Sequence, residues 1–231
     1  MLLTKIEIGT HLYWKFAGYL IHGQVFIVSW FVLFNLMIIS TFLIFNLKNI
    51  PSNFQILLEI NLKFIKNILK NYLGENYNIG WISFIGTFFL FILDSNWSGS
   101  LIPWKLIKLS KGELSAPTSN LNTTSMLALV VSFSYFYIGI LKKRLKFFNH
   151  YVKPFMLFLP FNIIEDITKP LSLSFRLFGN VIADELTISV LTSLIPLFIP
   201  LPIMLLGIFT GFIQALIFVT LATSYISEAV C

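Results

Sequence analysis

Residues 169–186 read KPLSLSFRLFGNVIADEL. Here and just upstream the polar positions Glu165, Lys169, Ser172, Arg176, Asn180 and Asp184 recur every three or four residues. That spacing places them on one stripe of an α-helix, with Glu185 about 100° further round. Most residues between and around them are apolar, so one helix is expected over residues 161–195, inside a lipid bilayer. An arginine is costly there, at least roughly 2.5 kcal/mol at the bilayer centre on insertion scales. Arg176 lies too far from either helix end to snorkel, and a guanidinium cannot escape the cost by losing its proton. Asp184 and Glu185 can take up and release protons. A permanent cation beside titratable carboxyls in a membrane is the equipment of a proton path.

Working outward, a helix of roughly 35 residues extends about 52 Å, against a hydrocarbon core of about 30 Å. It must tilt strongly or protrude. A second long apolar segment, residues 201–228, follows a tight turn at PLFIPLP, and the two are expected to form a helical hairpin. In the second segment Thr210, Gln214, Ser224 and Glu228 fall on a similar stripe, so two polar faces can meet. Gly179 and Ala183, small residues four apart, allow another helix to approach closely. For Ser172, Thr210 and Ser224 the simpler reading is a hydrogen bond bridging the two helices. Glu165, Lys169, Ser172, Ser224 and Glu228 form a secondary set of path candidates.

The rest of the chain fits this setting. Of its 231 residues 57% are hydrophobic and 11% charged, with a mean hydropathy of +0.85, whereas a soluble domain is about 25% charged. The fold class expected is all-α, a single polytopic membrane domain of about five spans. Spans are expected at residues 24–47, 79–93 and 124–141, besides the hairpin. Residues 53–73 set Phe54, Leu57, Leu58, Phe64, Ile65, Ile68 and Leu69 at helical spacing, with Lys63, Lys66 and Lys70 opposite. That pattern fits a helix lying on an anionic membrane surface or one packed on other subunits. Asp94, Asn96 and Gly99 are expected to open a polar loop after the second span, with Trp97 and Trp104 at the interface. The stretch 147–160, broken by Pro154 and Pro160, reads as interfacial or re-entrant. Lys48, Lys63, Lys66, Lys70, Lys142, Lys143, Arg144, Lys146 and Lys153 share one side and outnumber Lys5, Lys15, Lys105, Lys108 and Lys111 on the other. The positive-inside rule then puts the N-terminus outside and the C-terminus inside.

Other chemistries are poorly supplied. The net charge of +6 sits in short clusters beside apolar spans and forms no continuous basic face, so no nucleic-acid partner is expected. His11, His22 and His150 lack ligand spacing, so no metal or other cofactor is expected. The single cysteine, Cys231, cannot form an intrachain disulfide. No GxxxxGK[ST] phosphate loop occurs, so no ATP site is expected and the chain is read as non-catalytic. The first 23 residues, with Glu7 and two histidines among aromatics, do not form the h-region of a cleaved signal.

Four stretches together resemble subunit a of the F-type ATP synthase, in its plastid and cyanobacterial branch: FRLFGNVIADEL, GFIQALIF, SNWSGSLIPWKLIKLSKGELSAPT and GTHLYWKFAGYLIHGQVFIVSW. The resemblance covers nearly the whole chain from about Ile6. It implies a static subunit that holds two offset half-channels against a rotating ring of c subunits, with peripheral-stalk b-type subunits and a catalytic head as further partners. It implies a thylakoid membrane, with the N-terminus lumenal and the C-terminus stromal. Arg176 matches the family's essential arginine, which draws an arriving ring carboxyl into its ionised form and separates the half-channels. Asn180 and Glu185 match inlet residues, Asp184 the adjacent acid of the plastid branch, and Gln214 a glutamine facing the arginine across the hairpin. Where bacterial members often carry a histidine seven residues before that glutamine, this chain has Gly207, so its inlet is expected to lean on Asp184 and Glu185. The terminal SEAVC lacks the usual acidic, His-containing tail, and Asp94 stands where relatives usually carry an apolar residue. Two rival readings are a proton-pumping subunit of a respiratory complex or antiporter, and a membrane transferase using Asp184 and Glu185 as acid and base. The first would usually need ionisable residues in several spans, and the second a metal or nucleophile set.

Overall fold

The computed structural model describes residues 13–16, 19–48, 51–74, 79–101, 115–144, 157, 159–194 and 200–230. Six long helices carry the described fold: α1 Gly23–Phe45, α2 Asn53–Leu73, α3 Gly80–Leu101, α4 Leu121–Lys143, α5 Leu159–Leu194 and α6 Pro200–Val230. A feature absent from the helical expectation precedes them. Strands β1, Tyr13–Phe16, and β2, Tyr19–His22, pair antiparallel with Tyr13 opposite His22 and Phe16 opposite Tyr19. Tyr, Trp, Phe and Ile dominate both strands and favour extended backbone. Three helices, α1, α4 and α6, are long and apolar enough to cross a membrane. Helix α5 carries six charged residues along its length, and the last third of α3 is rich in polar ones.

Local chemistry sets several helix ends. Gly74, at φ 79°, ends α2 in a backbone conformation that costs glycine little, and Lys70 lies in the last turn, where a cation suits the helix dipole. The side chain of Asn120 accepts a hydrogen bond from the Asn122 N–H at 2.9 Å and so caps α4. Helix α6 begins with Pro200 and Pro202 in its first turn, where the N–H groups that proline lacks have no intrahelical partner to lose. Helix α5 runs unbroken for 36 residues through Pro170, a length of about 54 Å.

Helices α3 and α6 form the centre. Phe89 and Ile92 of α3 and Ala215, Phe218 and Val219 of α6 are fully buried, with Leu173 and Leu177 of α5 and Ala128 and Val131 of α4 packed around them. In a bilayer such contacts rest on van der Waals fit, because lipid tails are as apolar as leucine. Small residues then decide how close two helices come. A Cβ at Gly207 would lie 2.9 Å from Ser100 Oγ, and one at Gly211 would lie 3.1 Å from Asn96 Cβ. The glycines, four apart on α6, thus seat two polar residues, four apart on α3.

That seating corrects the polar loop expected after residue 93. Asp94, Asn96 and Gly99 lie inside α3, which runs on to Leu101. Their polar groups are satisfied by other helices, so the helix has no need to end. Asn35 of α1 donates to both Asp94 carboxylate oxygens at 3.0 Å, and Asn96 Nδ2 donates to the Gly211 carbonyl at 3.2 Å. Trp97, expected at an interface, donates from Nε1 to the Ile208 carbonyl at 3.1 Å and ties α3 to α6. Helix α2 takes the bounds expected of it. Its Ile65, Ile68 and Leu69 are buried in this chain's own core, while Lys63, Lys66 and Lys70 stay exposed. Trp104, the stretch 147–160 apart from its few described positions, and the turn up to residue 199 lie outside the described residues.

Candidate proton path

The stripe of α5 divides at its middle. Below Arg176, towards the start of α5, Lys169 gathers three carboxylates: Glu228 Oε2 of α6 at 2.6 Å, Glu165 Oε1 at 3.2 Å and Asp166 Oδ1 at 3.8 Å. The rings of Tyr135 and Tyr225 lie 5.7 and 5.5 Å from its Nζ, within cation–π range. Glu165, Lys169 and Glu228 therefore stand together, joined by Asp166, which the sequence reading passed over. Ser172 and Ser224 do not belong with them. Ser172 is exposed, and neither hydroxyl makes the interhelical hydrogen bond expected of it among the described residues. A residue's place on a helical stripe fixes its direction and leaves its reach undetermined, and a serine's reach is short.

Above Arg176 four candidates share one small cavity of about 10 Å³, room for about one water molecule. Asn180, Asp184 and Glu185 enter it from α5, Gln214 from α6, and Asn96 and Ser100 from α3. Asn180 Nδ2 donates to Gln214 Oε1 at 2.8 Å, and the Thr210 hydroxyl donates to Asp184 Oδ2 at 3.1 Å. Glu185, turned away from the stripe, accepts from the Ala116 N–H at 2.9 Å through Oε1. Gly207 faces the same cavity, and a Cβ there would lie 3.8 Å from Asp184 Oδ2. Bound water at this size would meet carboxyl, amide and hydroxyl groups, the partners a relayed proton needs.

Arg176 stands apart from both groups. It is exposed, on one face of α5 with Ser172, Gly179 and Ala183, and makes no hydrogen bond or ion pair among the described residues. Gln214, which the resemblance sets opposite it, is 3% exposed and engaged by Asn180. The amide thus meets Arg176's neighbour one turn on, and the guanidinium is left facing outward. Asn96, Ser100 and Ala116 were missed by sequence reasoning as site residues. For Asn96 and Ser100 the signal was their four-residue spacing, matched by that of Gly207 and Gly211, a small-residue pattern that permits close helix contact; Ala116, which offers a backbone N–H, left none.

A helical chain that lines a hairpin of long apolar helices with Arg176 and several carboxyls has the equipment of the proton-translocating class. The profile of the family described as "ATP synthase A chain" matches residues 26–227. The chain is 51% identical over 228 residues to "ATP synthase subunit a, chloroplastic" of Stigeoclonium helveticum, covering 99% of this chain and 93% of that protein. The chain belongs to the ATP synthase A chain family, and its function is that of the proton-channel subunit in the membrane sector of an F-type ATP synthase.

Proposed function

We propose that Arg176 faces the rotating ring of c subunits and that the two groups flanking it belong to two offset half-channels. On this reading a proton enters through Glu185, Asp184 and Asn180, with Gln214 holding the asparagine. It passes to a ring carboxyl, rides the rotation, and leaves past the Lys169, Glu165 and Glu228 cluster, with Ser172 and Ser224 as lesser candidates. Helices α3 and α5 would cross the membrane with α1, α4 and α6, giving the five spans expected. ATP chemistry belongs to the catalytic head, and peripheral-stalk b-type subunits hold this chain static against the ring. The chloroplast relative supports a plastid membrane, and the basic residues support a thylakoid orientation with the N-terminus lumenal and the C-terminus stromal.

The observation that carries the proposal is the position of Arg176. A permanent cation that finds no anion among the described residues, on an exposed helix face in the membrane, needs one from a neighbour. A ring carboxyl that arrives, ionises and departs meets that need. Glu185 supplies the test. Glu185→Gln should slow proton uptake far more than Glu185→Asp, by about a hundredfold or more, because only a carboxyl exchanges a proton near neutral pH. The measurement is proton flux into vesicles bearing the assembled complex, with copurified c and head subunits confirming assembly. Equal flux in the two variants at equal assembly removes Glu185 from the inlet.

A further inference from the structure

The turn at residues 115–119 lies in the protein core. Ala116 and Thr118 are fully buried. Besides the Ala116 N–H that meets Glu185 Oε1 at 2.9 Å, the Thr118 hydroxyl donates to Asn96 Oδ1 at 3.0 Å. Asn96 in turn donates to the Gly211 carbonyl at 3.2 Å, so one amide fastens the turn to both α3 and α6. The methyl group of Ala116 sits over Gly99, where an added Cβ would come within 2.9 Å of it and 3.6 Å from Glu185 Oε1. A peptide donor is thereby clamped against a membrane carboxyl.

Resting on the inlet role proposed for Glu185, we infer that the Ala116 peptide N–H is a positioning donor for that carboxyl, held in place by the Thr118–Asn96 hydrogen bond. A peptide N–H that meets a carboxylate makes a charge-assisted bond and favours the ionised form. The turn therefore sets how readily Glu185 gives up a proton it has collected. Asp184 is the one other ionisable group among the described residues around the cavity; the α3 residues Asn96, Gly99 and Ser100 and the α6 residues Gly207, Thr210 and Gln214 are uncharged. Arg176, the nearest cation on α5, is nine residues away, about 13 Å along the helix.

The backbone offers a direct test. Residue 116 has φ −57° and ψ 146°, angles proline adopts, so Ala116→Pro deletes the donor, and its ring Cδ, standing where the amide hydrogen stood, moves the Glu185 carboxyl off that position. In vesicles bearing the assembled complex, proton flux is followed against proton concentration on the inlet side under a fixed potential. Half-maximal flux should come at about a tenfold lower proton concentration in Ala116→Pro, since a carboxyl that has lost a donor holds its proton more tightly. Maximal flux should change less. In a Glu185→Asp background the same substitution should have no such effect, because the shorter acid falls short of the donor. If Ala116→Pro does not assemble, Thr118→Val, which removes the hydroxyl, decides the matter: a smaller shift of the same direction, reversed by Thr118→Ser, supports the inference. Wild-type proton dependence in an assembled Ala116→Pro or Thr118→Val protein, or failure of serine to restore it, overturns the inference. Normal uptake by Glu185→Gln would instead overturn the inlet role itself.

Discussion

Asn180 gives an amide hydrogen to Gln214, and that contact separates two jobs an amide could do near Arg176. Neither side chain can exchange a proton near neutral pH, so the pair orients and does not carry. Gln214→Leu removes the acceptor of the exposed Asn180 amide, a hydrogen bond worth about 0.5–1.5 kcal/mol net. Should that fall on the proton step, coupled flux drops by up to about tenfold, the rate equivalent of about 1.4 kcal/mol. Some transport survives, because the carboxyls of Asp184 and Glu185 remain. The double variant Asn180→Leu with Gln214→Leu should be less impaired than the sum of the singles, since the second change removes a donor already orphaned. ATP-driven acidification of vesicles, normalised to assembled complex, measures this. Loss of the complex itself in Gln214→Leu would mark the residue as structural.

At the level of whole helices, the hairpin was legible because its polar residues repeat with the period of an α-helix, and period needs only one chain segment to be read. The stripe through Glu165, Lys169, Arg176, Asn180 and Asp184 is of that kind. The end of α3 was not legible in the same way. DSNWSGS reads as a loop when its polar groups are assumed to need water, whereas Asn35, Gly211 and Thr118 satisfy Asp94 and Asn96 from other parts of the fold. Helix α2 shows the same limit: its amphipathic pattern established a buried face without saying what buries it. Interhelical fit can be tested at Gly207. Gly207→Ala places a carbon 2.9 Å from Ser100 Oγ and 3.3 Å from Ser100 Cβ, and overpacking of this kind costs about 1–3 kcal/mol. The variant should lower the thermal midpoint of the complex or its yield. Ser100→Gly in the same chain removes both offending atoms and should recover much of the loss, less the roughly 1 kcal/mol that glycine costs inside a helix. A Gly207→Ala protein as stable as the wild type would mean that α3 and α6 can part at no cost.

Across the whole molecule, the polar groups along α5 fall into two sets with a gap between them. The Lys169 cluster lies about 10 Å to one side of Arg176 and the cavity acids about 13 Å to the other, at 1.5 Å per residue. No described hydrogen bond joins the two groups, and the exposed guanidinium lies between them. On the role proposed for Arg176, a proton crossing from one to the other leaves this chain and travels on a ring of carriers. Arg176→Ala removes the cation while leaving both clusters in place. It should insert and assemble, because the residue makes no hydrogen bond or ion pair among the described residues to lose. ATP-driven pumping should cease, since an arriving ring carboxyl then keeps its proton. With the catalytic head detached, the same complex should conduct protons passively, because the charge that barred direct passage is gone and each proton is driven by about 2.3 kcal/mol per 100 mV. Arg176→Lys should also fail to pump: it keeps a charge, but lysine can deprotonate when desolvated and lacks the planar fork of donors. Proton uptake into vesicles, with and without an imposed potential, distinguishes these states, and normal pumping by the alanine variant would refute the role assigned to Arg176.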